Sequence, residues 1–206
     1  MKSSESVIGI ILAGGLARRM GGGDKCLLPL AGKTLLQRVI DRAQPQVARL
    51  LLNANGNSLR FARTHLPILA DASASNLGPL AGIQVGLKWM QANTSHTWLA
   101  SFASDTPFFP ADVVEQLYLA TQIKPSTLVV ASSKLQTHPV FALWHISLLE
   151  KIEAQLQAGE IPRLQDWIKN QNPQIVDFTA HDYDPFFNIN TPQDLYAAEP
   201  LASLVN

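Results

Sequence analysis

The chain has 206 residues, of which 47% are hydrophobic and 16% are charged, and this balance is typical of a folded protein rather than a disordered one. Its length fits one domain, and its apolar runs have the length of strands, well short of the roughly 20 residues of a membrane-spanning helix. The net charge is zero, and no basic run or aromatic-interleaved patch indicates a nucleic-acid surface.

Short apolar runs alternate with longer amphipathic segments along the chain. In chain order, the strand patterns are VIGIIL, VARLLLN, HLPILA, TWLASFAS, TLVVAS, PVFALW, QIVDFT and FFNIN. The helix patterns between them are TLLQRVIDRAQ, LAGIQVGLKWMQ, PADVVEQLYLATQ and SLLEKIEAQLQAG. We therefore predict a single three-layer α/β/α, Rossmann-like domain over residues 1–206, with a mostly parallel sheet and a ligand crevice at the strand carboxyl ends. The later half is richer in strands, which predicts antiparallel additions there.

Charge is divided unevenly along the chain. Residues 1–70 carry ten Lys or Arg against three Asp or Glu, and residues 71–206 carry six against thirteen. A triphosphate site with a carboxylate-held metal would show this division, and so would a chance distribution of surface charge. The single cysteine, Cys26, excludes an internal disulfide and suits the reducing cytoplasm, which is the location we expect.

The stretch LAGGLARRMGGGDK, residues 12–25, directly follows the first strand pattern. A glycine-rich turn lets backbone N–H groups converge on phosphate oxygens, and the two arginines and the lysine add positive charge. The stretch does not match the dinucleotide pattern GxGxxG, and the later AGKT lacks the earlier glycine of a Walker motif. By itself the stretch indicates either a phosphate site or a flexible glycine loop.

Six motifs, taken in order, resemble those of the molybdenum cofactor guanylyltransferases in the nucleotidyltransferase superfamily. They are ILAGGLARRMGGGDK, LLLNANGN, ILADASASNLGPLAGI, ASDTPFF, THPVFALW and FFNINTPQDL. Related cytidylyltransferases more often carry LAAG in the first motif, so Gly14 and Gly15 favour the guanylyl branch. The resemblance implies that GMP is transferred from GTP to molybdenum-molybdopterin with release of pyrophosphate and with Mg²⁺ as cofactor. A CTP-dependent enzyme of the same fold and a non-catalytic nucleotide or molybdopterin carrier remain alternatives.

The resemblance places GTP on the N-terminal part of the chain. Lys25 and Asp105 are the implied catalytic residues: Lys25 would offset the charge of the leaving pyrophosphate, and Asp105 would hold Mg²⁺. Asn53 and Asp71 end strand patterns, and Asp71 would contact either guanine or the ribose hydroxyls. Asn53 could instead close its strand with a local bond, and Asp105 could cap a helix. The implied GTP-binding residues are Leu12, Ala13, Gly14, Gly15, Lys25, Asn53, Asp71 and Asp105.

The resemblance places molybdopterin on the C-terminal part. Asn188 and Asn190 are two residues apart in an extended segment, so they would face the same side. The alternative is that the two amides form a buried structural ladder and bind no ligand. The implied molybdopterin-binding residues are Arg19, Gly78, Gly82, Arg163, Asn188 and Asn190. Implied protein partners are a separate P-loop adaptor and the molybdoenzymes, or their chaperones, that accept the product.

Two polar residues in or near these motifs, His138 and Asp24, are expected to have structural rather than chemical roles. We do not expect His138 to be a catalytic base, because the acceptor phosphate is already an anion and the proposed chemistry needs no protein nucleophile. Asp24 is expected to organise its loop rather than to bind metal.

Overall fold

The structure is a computed structural model that describes residues 5–14, 24–72, 78–159, 162–178 and 183–204. The strands in these ranges are β1 (Val7–Leu12), β2 (Pro29–Leu30), β3 (Lys33–Thr34), β4 (Arg49–Asn53), β5 (Ile68–Leu69), β6 (Trp98–Ala103), β7 (Leu128–Ser133), β8 (Gln136–His145) and β9 (Gln174–Asp177). The helices are α1 (Leu35–Ala43), α2 (Pro79–Asn93), α3 (Val113–Ile123), α4 (Leu149–Gln157), α5 (Leu164–Asn170) and α6 (Pro192–Leu204).

Seven strands form one sheet in the order β5-β4-β1-β6-β8-β7-β9. Strands β5, β4, β1 and β6 are mutually parallel, so their carboxyl ends meet at one edge. Strand β8 runs antiparallel to both β6 and β7, which confirms the antiparallel addition expected in the later half. The remaining pair, β2 and β3, forms a separate two-stranded hairpin.

Helices cover both faces of the sheet, which confirms the three-layer α/β/α prediction. Apolar side chains of α1 and α3 pack on one face, together with Val7 and Ile11 of β1. Side chains of α2, α4 and α5 pack on the other face, together with Ile8 and Ile10. Because both faces of β1 are covered, its sequence is apolar throughout rather than alternating.

Two local expectations differ from the structure. The FFNIN segment, residues 186–190, is not a strand, because its backbone donors bond to Asp184 and Asp105 instead of to a neighbouring strand. Helix α5 was not predicted, since its seven residues are too few to show a clear helical period, yet it buries Leu164, Trp167 and Ile168.

Among the helices that these ranges contain, none combines the length and apolar composition required to cross a bilayer.

Candidate active site

A cavity of about 350 Å³ opens at the carboxyl edge of the parallel strands. It lies where β1, β4 and β6 end, so residues that are far apart in sequence meet there, as the parallel topology requires. Its walls include eight of the sequence-predicted site residues, which are Leu12, Gly14, Lys25, Asn53, Asp71, Gly78, Asp105 and Asn188.

Lys25 and Asp105 form an ion pair inside this cavity. The Lys25 Nζ lies 2.5 Å from Asp105 Oδ2, and the two side chains are only 12% and 19% exposed. Lys25 also donates a hydrogen bond to Asn190 Oδ1 at 2.6 Å, which links the first motif to the last one. At this limited exposure, the ammonium can bind phosphate oxygens and the carboxylate can bind a cation.

Asn53 and Asp71 are joined at the other side of the cavity. The Asn53 amide donates to Asp71 Oδ1 at 2.8 Å and to the Leu69 carbonyl at 3.1 Å. Asn55, a residue that the sequence analysis did not select, donates to Asp71 Oδ2 at 2.7 Å and accepts from the Asp71 backbone N–H at 2.8 Å. Both carboxylate oxygens of Asp71 are therefore fixed in place. The repeated amide in Asn-Ala-Asn was the available signal, since residues two apart at a strand end face one side.

The two glycines expected at the molybdopterin site have different surroundings. Gly78 has a φ of 72°, a conformation that favours glycine, and it lines the cavity at the start of α2. Gly82 is buried instead: a Cβ built there would lie 2.3 Å from Asn53 Oδ1 and 2.8 Å from Leu12 Cδ2. In the structure, Gly82 thus provides the space in which the Asn53 side chain sits.

A second cavity, of about 410 Å³, adjoins the first and shares Ala103, Val140 and Asn188 with it. Asn190 also lines this second cavity. The Ile189 backbone N–H, between the two asparagines, donates to the Asp105 carbonyl at 2.9 Å. This bond attaches the asparagine segment directly to the residue that carries the cavity carboxylate.

The other selected residues lie elsewhere or outside the described ranges. Ala13 is buried and donates its backbone N–H to the Asn53 carbonyl at 2.9 Å. Arg163 is exposed at the start of α5 and is not among the described residues that line either cavity. Gly15 and Arg19 fall in the range 15–23, which lies outside the described residues.

Asp24 and Cys26 flank Lys25 but serve the loop rather than the cavity. Both carboxylate oxygens of Asp24 accept hydrogen bonds from Arg60 at 2.6 Å, in agreement with the expected loop-organising role. Burial, reinforced by the charge of Asp24, raises the pKa of the Cys26 thiol to about 12. That thiol stays protonated at neutral pH, so it is not a nucleophile.

The cavity fits a hard divalent cation. In the described part of the chain, no group of three or more His, Cys, Asp or Glu side chains could enclose a metal ion. Asp105 nevertheless presents a carboxylate that already holds a cationic group, the Lys25 ammonium, at 2.5 Å. One carboxylate together with water and substrate phosphate is the donor set that Mg²⁺ takes in nucleotide sites.

Comparisons with known proteins agree on the kind of domain. A family model for the MobA-like NTP transferase domain matches residues 9–175. A molybdenum cofactor guanylyltransferase of Rhodopseudomonas palustris (strain BisB5) is 43% identical over 194 residues, which cover 94% of this chain and 92% of that protein.

Solved structures share the fold. The molybdopterin-guanine dinucleotide biosynthesis protein A of Archaeoglobus fulgidus is 23% identical, with a TM-score of 0.75 and coverage of 96% of this chain and 99% of that one. A Mycobacterium tuberculosis protein, determined in complex with manganese, is 14% identical, with a TM-score of 0.68 and coverage of 95% and 98%. Since the family model spans most of the chain and a 43% identical relative covers nearly all of it, the chain belongs to the MobA-like NTP transferase family.

Proposed function

We propose that this protein is a molybdenum cofactor guanylyltransferase, which transfers GMP from GTP to molybdenum-molybdopterin and releases pyrophosphate. The observation that carries the proposal is the Lys25–Asp105 ion pair in the first cavity, where Lys25 also contacts Asn190 of the adjoining second cavity. The Asn53–Asp71 pair lies on one side of it, and the Asn188–Asn190 segment lies on the other. The name of the 43% identical relative supports this choice of reaction.

The reaction requires two polyanions to approach each other. The acceptor phosphate is already an anion, so the reaction needs no general base and no covalent intermediate on the protein. The protein's contribution is to align the acceptor with the α-phosphorus of GTP and to balance the phosphate charge. Lys25 is the cation among the described residues that line the first cavity, and its ammonium would stabilise charge on the departing pyrophosphate.

Asp105 would hold the divalent metal, which we propose is Mg²⁺. The bound metal would supply charge neutralisation between phosphate oxygens. Asp105 is well placed for this because its backbone carbonyl is bonded to Ile189 and its carboxylate faces the cavity. Asn188 and Asn190 would bind the acceptor from the adjoining cavity.

Asp71 would select the nucleotide. Its two oxygens are oriented by Asn53 and Asn55, and each oxygen keeps a further lone pair for a ligand. A carboxylate complements the N1–H and exocyclic amine of guanine, and it also complements a pair of ribose hydroxyls. Both assignments put the nucleoside beside Asp71 in the first cavity, with its phosphates directed towards Lys25.

The proposal also includes protein partners and a cellular location. A separate P-loop adaptor and the molybdoenzymes, or their chaperones, that receive the product would be other polypeptides. A cytoplasmic location stays a prediction from cysteine usage.

Identification of the product tests the proposal. Purified protein is incubated with molybdopterin, molybdate and Mg²⁺ and with GTP or CTP, and products are identified by mass. Formation of the guanine dinucleotide with pyrophosphate release is the expected result. Formation of the cytosine dinucleotide alone would identify the CTP-dependent alternative, and binding without pyrophosphate release would identify a carrier.

A further inference from the structure

A chain of hydrogen bonds joins the sheet to the segment 184–190, which carries the two cavity asparagines. Ser133, the last residue of β7, is its central member. The Ser133 Oγ lies 2.7 Å from His138 Nε2 and 2.9 Å from Asp184 Oδ1. The same Asp184 oxygen accepts a hydrogen bond from the Phe186 backbone N–H at 3.0 Å. The transfer reaction described above uses none of these side chains.

The protons in this network can be assigned. A serine hydroxyl has one proton, and an ionised carboxylate only accepts, so Ser133 donates to Asp184. His138 must then donate from Nε2 to Ser133 Oγ, which fixes the ring tautomer. Burial holds the pKa of His138 below its ordinary value, against the opposing charge of Asp184, so the neutral ring performs this role at pH 7.

This order of bonds differs from that of a catalytic triad. In a triad, the serine proton goes to the histidine, and the carboxylate orients the histidine. Here the Ser133 proton goes to the carboxylate, and the Ser133 side chain is buried with 0% exposure. The network is therefore suited to holding structure in place rather than to nucleophilic attack.

Further contacts fix the turn that begins at Asp184. The Phe187 backbone N–H donates to the Asp184 carbonyl at 3.0 Å, and the His138 ring stacks on Phe186 with centroids 4.3 Å apart. The segment is anchored again at Ile189, which donates to the Asp105 carbonyl. The stretch that carries Asn188 is thus fixed at both ends.

The network also forms part of the second cavity. His138 and Asp184 line it together with Asn188 and Asn190. A shift of the turn would therefore move the asparagines and change the cavity wall at the same time. In the first cavity, the Asn53–Asp71 pair is held by bonds to Leu69 and Asn55 and lies outside this network.

We propose that Ser133 is a positioning residue for the acceptor: with His138 and Asp184 it fixes the turn that precedes Asn188 and Asn190. This inference rests on the proposed function, in which those asparagines bind the acceptor substrate. On the GTP side, the network reaches Lys25 only through Asn190, and the Asn53–Asp71 pair is bonded elsewhere.

Ser133→Ala tests the inference, and Ser132→Ala is a matched control. Ser132 is also buried on β7, and its hydroxyl donates to Asp177 Oδ1 at 3.0 Å, away from the segment 184–190. Hydrogen exchange of the 186–190 amides is measured without substrates. The KM values for molybdopterin and for GTP are then measured separately on each protein with Mg²⁺ present.

Ser133→Ala is expected to accelerate exchange of the 186–190 amides and to raise the molybdopterin KM about tenfold, with a clearly smaller change in the GTP KM because Asn53 and Asp71 are bonded elsewhere. Ser132→Ala should leave all three quantities near the wild-type values. Ser133→Thr keeps a hydroxyl, so its exchange rates and KM values should stay close to those of the wild type. If Ser133→Ala does not fold, His138→Phe keeps the stacking ring, removes the donor and should shift the same quantities in the same direction.

Unchanged exchange, or equal increases in both KM values, would overturn the inference. A wild-type protein that forms no product would count against the proposed function instead. The exchange measurement needs no substrate, so it still decides whether Ser133 positions the segment.

Discussion

At the residue scale, the Lys25 ammonium occupies the position next to Asp105 that a metal ion needs. The two groups are 2.5 Å apart, and the ammonium also donates a hydrogen bond to the Asn190 side chain. If Asp105 holds a divalent cation through Oδ2, as proposed, that cation would displace Lys25 in the absence of nucleotide. Bound triphosphate offers the ammonium a new set of oxygens, so nucleotide and metal are expected to favour each other's binding.

Lys25→Met is expected to strengthen metal binding by the nucleotide-free protein while lowering activity. Removing the competing cation should tighten Mn²⁺ binding about tenfold, which corresponds to ~1.4 kcal/mol. This is a modest part of the attraction between two adjacent unit charges in a partly buried site. Titration followed by electron paramagnetic resonance measures this affinity. Lys33→Met, which removes a surface ion pair with Asp41, is the control. Weaker or unchanged Mn²⁺ binding by Lys25→Met would refute the competition.

Asp71→Asn is expected to distinguish guanine contact from ribose contact. If the carboxylate accepts from the exocyclic amine of guanine, the variant should lose more kcat/KM with GTP than with ITP, which lacks that amine. A carboxylate that holds only ribose hydroxyls would lose equally with both nucleotides. Steady-state pyrophosphate release with the two nucleotides measures the difference.

His138 should make the protein less stable in mild acid. Burial disfavours the imidazolium, so the unfolded chain takes up this proton more readily than the folded one. The free energy of unfolding should then decrease as the pH falls through the ordinary histidine range near 6.5. His138→Phe keeps the ring stacked on Phe186 and should flatten the dependence in urea unfolding between pH 7 and pH 5. Parallel curves for the two proteins would contradict this.

At the element scale, helix α2 leaves room for the Asn53 side chain because it has a glycine, Gly82, at the point of contact. Gly82 lies against Asn53 and Leu12, and Gly86, one turn later, lies against Ile10 and Leu99. A Cβ at Gly82 would meet the amide group of Asn53, whose nitrogen donates to Asp71 in the site, whereas a Cβ at Gly86 would meet only apolar side chains.

Gly82→Ala is therefore expected to cost about 1–3 kcal/mol of stability and also to raise the GTP KM, because Asn53 must move. Gly86→Ala should cost stability by overpacking but leave the GTP KM near wild type. Urea unfolding and initial-rate kinetics on both variants provide the comparison. An unchanged GTP KM in folded Gly82→Ala would show that Asn53 is not held by this contact.

The strands and long helices could be predicted from the sequence, because their burial leaves a clear apolar period. The segment 184–190 could not, since an alternating apolar pattern is common to strands and to extended loops. Its Ile189 is buried between the exposed Asn188 and Asn190, as a strand pattern implies, but the backbone donors of Phe186 and Ile189 bond to Asp184 and Asp105. Such side-chain and loop partners leave no periodic signal.

At the scale of the whole molecule, one edge of the sheet collects residues from both ends of the chain. Lys25 follows β1 and Asn190 precedes α6, and the two are in direct contact because β1 and β6 are adjacent in the sheet. The crevice could be predicted from the strand order alone. The Lys25–Asp105 ion pair could not, because it depends on side-chain directions that the motifs do not encode.

The insertion of β8 between β6 and β7 also escaped detailed prediction. An antiparallel strand was expected, but its position depends on long-range pairing. A register shift between Val130 and Ala131 places His138 beside the strand end that carries Ser133. This topology brings the second cavity next to the first.

The central claim is that Asp105 and Lys25 serve transfer of GMP to molybdopterin at this edge. Product formation from GTP, molybdenum-loaded molybdopterin and Mg²⁺, followed by mass and pyrophosphate release, tests it most directly when wild type and Asp105→Ala are compared. We predict the guanine dinucleotide with wild type and a loss of at least about a hundredfold in turnover with the folded variant. Normal turnover by Asp105→Ala, or no guanine dinucleotide from the wild type, would contradict the account.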